Sequence, residues 1–210
     1  MTGRVLLKSF TTLALVIAAY VPATSNAIEV RPVFRMGAEF GGDTIVKVGT
    51  TGGTGGSSRT IDANQGLSVG GGASILTDSK DIEAEVTLSY KFTSISAQNG
   101  DIKWTMLPLD ALVFYRMPKF RLGGGLTYHL SPKLDGSGDA GDLNATYKDA
   151  LGLVLQADYR FTERFLLGLR YTNVTYKASG SPQASATVVT TTPPTSAKTN
   201  GVGIIFSVRF

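Results

Sequence analysis

In eight stretches of this chain every second residue is apolar, and most positions between are polar, charged or glycine. Side chains on a strand alternate faces, so this period of two predicts eight strands, each with one oily face. The first runs from about Val30 to Val48, with Phe34, Met36, Ala38 and Phe40 opposite Arg35, Gly37, Glu39, Asp43 and Lys47. The second, near Gln65 to Leu76, sets Leu67, Val69, Ala73 and Ile75 against Ser68, Gly70, Gly72 and Ser74. The third is the cleanest, with Ile82, Ala84, Val86, Leu88, Tyr90 and Phe92 between Glu83, Glu85, Thr87, Ser89, Lys91 and Thr93. The fourth carries Leu107, Leu109, Ala111, Val113 and Tyr115 opposite Asp110, Leu112, Phe114 and Arg116. The fifth pairs Phe120, Leu122, Leu126, Tyr128 and Leu130 with Arg121, Gly123, Gly125, Thr127 and His129. The sixth runs from Leu151 to Phe161, the seventh from Phe165 to Thr172 and the eighth from Gly201 to Phe210.

The connections add a second pattern. Tight turns at Thr77–Lys80, Met117–Lys119 and Thr162–Arg164 alternate with longer polar stretches at 49–58, around 97–101, at 131–146 and at about 177–200. A soluble meander has no reason to alternate so. A barrel inserted into a membrane from within does, with short turns on the inner side and long loops outside. Aromatic residues fall at two levels. Tyr115, Phe120, Phe161, Phe165 and Phe210 lie by the short turns, and Tyr90, Phe92, Trp104, Tyr128 and Tyr171 lie toward the long loops. The fold expected is all-β, an eight-stranded antiparallel up-and-down transmembrane barrel.

Composition agrees with a secreted β protein. The N-terminus carries Arg4 and Lys8, an apolar run Leu13–Val21, and small residues at Ser25 and Ala27. That is the layout of a cleavable signal peptide over residues 1–27, the run being shorter than the roughly 20 residues of a spanning helix. Residues 28–210 then form one barrel domain. There is no cysteine among the 210 residues, so neither disulfides nor thiol chemistry is available. Past the leader, 18 bases face 16 acids, a balance that does not argue for nucleic acid.

The last strand, Gly201-Val202-Gly203-Ile204-Ile205-Phe206-Ser207-Val208-Arg209-Phe210, resembles the terminal aromatic strand of bacterial outer-membrane barrels. The stretch Phe120-Arg121-Leu122-Gly123-Gly124-Gly125-Leu126-Thr127-Tyr128-His129 resembles their Gly-rich middle strand. The mature chain as a whole is similar to the OmpA/OmpX-type barrels of Gram-negative outer membranes, without a peptidoglycan-binding domain. The resemblance implies a bacterial outer-membrane location, contact with outer-membrane lipid and lipopolysaccharide, and recognition of Phe210 by the barrel-assembly machinery. A monomer is expected.

An eight-stranded barrel is just wide enough for its own side chains to fill it. The inward phase carries six acids, Glu39, Asp43, Glu83, Glu85, Asp110 and Asp158, and eight bases, Arg35, Lys47, Lys91, Arg116, Arg121, Arg160, Arg170 and Arg209. Unpaired buried charge is costly, so these should pair and plug the bore. A structural or surface-contact role follows, with no enzymatic activity. The alternative is a narrow pore, or an OmpW-like conduit for small hydrophobic molecules. Met106, Leu112, Phe114, Val154, Leu166 and Ile205 also lie inward, and a cluster of these near one end would favour the conduit.

Two constellations could carry chemistry. His129 and Ser131 form a His-x-Ser pair whose spacing resembles the active site of the outer-membrane lipid A 3-O-deacylases. Such a pair needs an orienting carboxylate, and Asp135, Asp139 and Asp142 follow on a Gly-rich loop. Pro132 stands where that family has Asn, and His129 falls in the inward phase away from a lipid substrate. The same acids with Asp149 offer oxygens to a hard cation such as Ca²⁺ but lack a metal-loop spacing. No catalytic, cofactor-binding or metal residue is therefore expected, and no cofactor.

Overall fold

The structure, a computed structural model, describes residues 29–49, 58–97, 100–138, 143–182 and 192–210. The leader read over residues 1–27 lies outside the described residues. Among the described residues twelve strands follow in chain order. They are β1 (Glu29–Gly41), β2 (Thr44–Gly49), β3 (Ser58–Asp62), β4 (Gly66–Leu76), β5 (Ile82–Ala97) and β6 (Gly100–Arg116). Then come β7 (Phe120–Gly136), β8 (Asn144–Thr146), β9 (Ala150–Arg160), β10 (Phe165–Lys177), β11 (Ser196–Lys198) and β12 (Gly201–Arg209).

Eight of these close a ring. Antiparallel pairing runs β1–β4–β5–β6–β7–β9–β10–β12 and returns to β1, where Val33 to Gly41 pair with Arg209 back to Gly201. The wall is an up-and-down barrel, and closure leaves it no edge strand. The two-residue period sorts its faces as expected. Leu126, Leu151, Leu153, Leu155, Leu169, Val202 and Ile204 stand exposed outside, while Arg35, Glu85, Asp110, Arg121 and Arg170 are buried inside. Inward glycines make room for large neighbours. A side chain at Gly123 would meet the ring of Phe114, and one at Gly168 would meet the carboxylate of Asp158.

The wall is taller than a membrane requires. A tilted spanning strand needs about 9–11 residues, whereas β5, β6 and β7 have 16, 17 and 17. The loop expected around 97–101 is therefore almost absent, because Ala97 pairs directly with Gly100. The other long connections also carry strands. The stretch after Ser131 continues β7 to Gly136 and returns as β8 alongside it, and the stretch before Asn200 holds β11, paired with β10. Residues 50–57, most of the first polar stretch, lie outside the described residues.

Three local readings are corrected. The first strand does not reach Val48. It ends at Gly41, where Gly41 and Gly42 take φ of +95° and +88°, and the chain turns back into the β2–β3 hairpin. Trp104 does not join the outer aromatic level. It keeps the inward phase of Met106, Leu112 and Phe114 and is fully buried. Finally, β7 carries one extra residue opposite β6, since Thr105 pairs with Lys133 but Leu107 with Leu130. This bulge holds Ser131 at φ +49° and exchanges the faces beyond it.

Candidate functional site

The barrel interior holds most of the buried chemistry among the described residues, and it is built in two storeys. The lower storey, within the lipid-facing wall, is charged. Five carboxylates and six bases are buried there: Glu39, Glu83, Glu85, Asp110 and Asp158, with Arg35, Lys91, Arg116, Arg121, Arg170 and Arg209. They come from inward positions on seven of the eight wall strands, so the ring brings together residues far apart in sequence. Arg121 spans Glu83 and Glu85 at 2.6 Å each and Asp158 at 2.5 Å, its guanidinium 3.8 Å above the ring of Phe114. Arg35 bonds Glu85, and Asp110 at 2.9 Å. Arg170 grips both oxygens of Asp110 at 2.8 Å, a two-pronged geometry that guanidinium provides and ammonium does not. Arg209 and Arg116 approach Glu83 at 3.0 and 3.4 Å. Thr172 donates to Glu39 at 3.2 Å, and Lys91 joins Glu39 at 3.2 Å and Asn64 at 3.0 Å. These pairs join into one connected network across the barrel interior.

Four charges expected inside are placed elsewhere or at its edge. Asp43 and Lys47 left the wall when the chain turned at Gly42. Asp43 is exposed and accepts the Lys198 N–H at 2.8 Å, and Lys47 is exposed on β2. Arg160 sits at the short-turn rim, donating to Met117 O and Pro118 O at 2.8 and 2.6 Å. Arg116 belongs to both places, touching Glu83 inside and Glu163 at the rim.

The upper storey is apolar. Trp104 meets Tyr147 and Tyr176 edge-on at 5.5 and 5.7 Å, among Ile95, Ile102, Met106, Leu134, Leu143 and Val174. The β2–β3 hairpin closes it from above with Ile45, Val46, Val48 and Ile61. Its base is bonded to the wall. Trp104 Nε1 donates to Ala63 O at 3.3 Å, and Asn64 Nδ2 donates to Phe40 O at 3.3 Å. Burial pushes the Tyr147 phenol up to about 12, so it keeps its proton and donates to Pro194 O at 2.9 Å. The polar composition of the connections hides this storey, since it reads as solvated loops. The inward phase of Ile95, Trp104 and Tyr176 was the available signal.

The His-x-Ser pair does not assemble. His129 is buried and hydrogen-bonded through Nδ1 to the Tyr176 hydroxyl, which itself donates to Met106 Sδ at 3.1 Å. Ser131 is exposed on the other side of the wall, turned there by the bulge, and its N–H goes to Asp149 Oδ1 at 2.8 Å. Asp135 is paired with Lys133 at 2.7 Å. Asp139 and Asp142 lie outside the described residues, and among the described residues no cluster of acids and histidines fits a metal ion.

The sequence matches the family described as outer membrane protein beta-barrel domain over residues 11–210. None of the curated proteins matches it significantly. Among solved structures it is similar to Ail, the attachment invasion locus protein of Yersinia pestis, solved in complex with the heparin analogue sucrose octasulfate. The identity is 12%, over 87% of this chain and 99% of that one, with a TM-score of 0.48. It is also similar to Neisserial surface protein A (NspA), at 13% identity over 88% of this chain and 99% of that one, TM-score 0.46.

Proposed function

The chain belongs to the outer membrane protein beta-barrel domain family, and from that premise we propose that it serves the outer membrane as a closed barrel with a structural or surface-contact role. The observation that carries this reading is the packing of side chains inside the ring of strands. Five carboxylates and six bases pair across the lower storey, and the β2–β3 hairpin with Trp104, Tyr147 and Tyr176 packs the upper one. A filled eight-stranded barrel has no path for solutes. The separation of His129 from Ser131 supports a non-enzymatic role. In this reading the chain carries a Gram-negative signal peptide, its exposed Phe210 is handed to the assembly machinery, and the apolar wall meets outer-membrane lipid and lipopolysaccharide. It works as a monomer, without nucleic acid.

The test is conductance of the refolded full-length protein in planar bilayers. Low or flickering current is expected. Large, steady open-channel currents would overturn the closed barrel in favour of a pore.

One observation favours a second reading, the OmpW-like conduit. An apolar cluster gathers at one end of the bore, although of the six inward residues expected to form it only Met106 belongs there, and Leu112, Phe114 and Val154 pack as a separate group. It is occupied by the chain's own side chains, so a conduit would require the β2–β3 hairpin to lift. A hairpin spin-labelled at Thr44 and a wall position at Leu130, with a distance unchanged on adding hydrophobic solutes, would dispose of that reading.

A further inference from the structure

At the short-turn end a basin of about 460 Å³ lies among Arg31, Arg116, Met117, Pro118, Arg160 and Glu163. Three guanidiniums from well-separated parts of the ring converge in it. Arg31 of β1, Arg116 at the end of β6 and Arg160 at the end of β9 all approach one side chain, Glu163, at 3.5, 3.0 and 3.3 Å. Lys80 also lines the basin, with Asp81 as a further acid. Each guanidinium is held by a second contact. Arg31 Nε is on Glu29 at 2.7 Å, Arg116 Nη1 donates to Lys80 O at 3.3 Å, and Arg160 Nη2 donates to Met117 O and Pro118 O. The side chains of Arg116 and Arg160 are 6% and 9% exposed, whereas that of Glu163 is 62% exposed. Less exposed cations thus hold an anion that is itself largely exposed to solvent.

The geometry has more donors than a carboxylate can match one to one. Glu163 Oε2 alone is approached by Arg31, Arg116 and Arg160, the last at 3.4 Å, while Oε1 has only Arg160. Buried Arg160 Nε has no hydrogen-bond partner among the described residues. Three N–H forks from three directions suit a tetrahedral group with three free oxygens; with Glu163 swung out, the four bases face only Glu29 and Asp81 at the rim, a surplus of two positive charges that suits a dianion.

We propose that this mouth binds a phosphate group and that Glu163 is its built-in competitor, occupying the anion position until phosphate displaces it. A soluble phosphate monoester reaches the basin along the barrel axis, and a phospholipid head group reaches it over the rim. The site lies below the ion-pair network and does not depend on the bore being closed, so a conducting barrel would leave it standing.

The test follows side-chain NMR signals of the arginines in full-length protein refolded in maltoside micelles. One arm adds inorganic phosphate, with chloride at equal ionic strength as the control. The other dopes the micelle with phosphatidylglycerol. A saturable shift with free phosphate assigns a soluble ligand, and one seen with the phospholipid alone assigns a head group. Glu163→Gln should tighten binding roughly tenfold, and Arg31→Gln and Arg160→Gln should weaken it by a similar factor. Folding of each variant is checked by its mobility on unheated gels. Should Arg160→Gln not fold, Arg31→Gln decides. The absence of a saturable shift in both arms, an equal response to chloride, or unchanged affinity in Glu163→Gln would each overturn the proposal.

Discussion

Arg121 shows what a single side chain contributes here. It is fully buried and is the common partner of Glu83, Glu85 and Asp158. Its removal leaves three carboxylates facing one another, with Arg35, Arg116 and Arg209 as their remaining neighbours. Breaking a buried pair by deleting one partner costs about 3–5 kcal/mol, so Arg121→Ala should lower the unfolding free energy in lipid by that order. Urea titration of the barrel in bilayers checks it, and a change within experimental error would mean the network contributes little. Glu163, at the rim, titrates instead. Partial burial would raise its carboxyl, but Arg160, Arg116 and Arg31 outweigh burial and hold it below the usual 4.5. A carboxyl lowered in the folded state stabilises above its unfolded value and loses that contribution as pH falls through the folded one. Its ¹³C carboxyl titration should therefore have a midpoint below 4.5, moving up in Arg160→Gln.

Elements were legible to different depths. The period of two placed all eight wall strands and their lipid and lumen faces, because one buried and one exposed face leave a periodic record. It also named most of the ion-paired residues, from Arg35 to Arg209. It could not follow the chain where the period was locally broken. One extra residue at Ser131 and a reversal at Gly41–Gly42 are backbone events with almost no compositional mark, and they moved Ser131, Asp43 and Lys47 off the expected faces. The lid hairpin hangs on that reversal. At φ +88° Gly42 is in a region L side chains rarely adopt, and an added Cβ would meet Lys198 O at 2.8 Å. Gly42→Ala should cost about 1–3 kcal/mol through backbone strain alone. Because the strain sits at the lid, amide exchange in β2 and β3 should accelerate more than in β9 or β10. Uniform acceleration around the barrel would show that lid and wall unfold as one unit. On the wall, Leu169 is 68% exposed, and Leu169→Arg should cost about 2–4 kcal/mol near the bilayer midplane. Unfolding in lipid measures it against Leu169→Ala.

For the whole molecule the closed-barrel proposal raises the question of which storey would keep the bore shut. The charged network and the apolar cap are stacked in series along one axis and joined at Lys91, which touches Glu39 below and Asn64 above. Barriers in series must both be removed before ions pass. Replacing Glu83, Glu85 and Asp110 by Ala strips the carboxylates from Arg35 and Arg170, leaves Arg121 only Asp158, and loosens the lower storey. Trp104, Tyr147, Tyr176 and the hairpin are untouched by that change, and their packing excludes water without using charge. The triple variant should therefore be less stable yet still not conduct. Replacing residues 44–62 by a short Gly/Ser linker removes Ile45, Val46, Val48 and Ile61 and uncaps the upper storey, but the ion pairs below remain. That variant should also stay closed. Only the two changes together should give steady currents, and with the carboxylates gone the surplus of arginines should make them anion-selective. Reversal potentials in a salt gradient measure the selectivity. Steady current from the triple variant alone would show that the cap leaks and that the charged storey is the only seal.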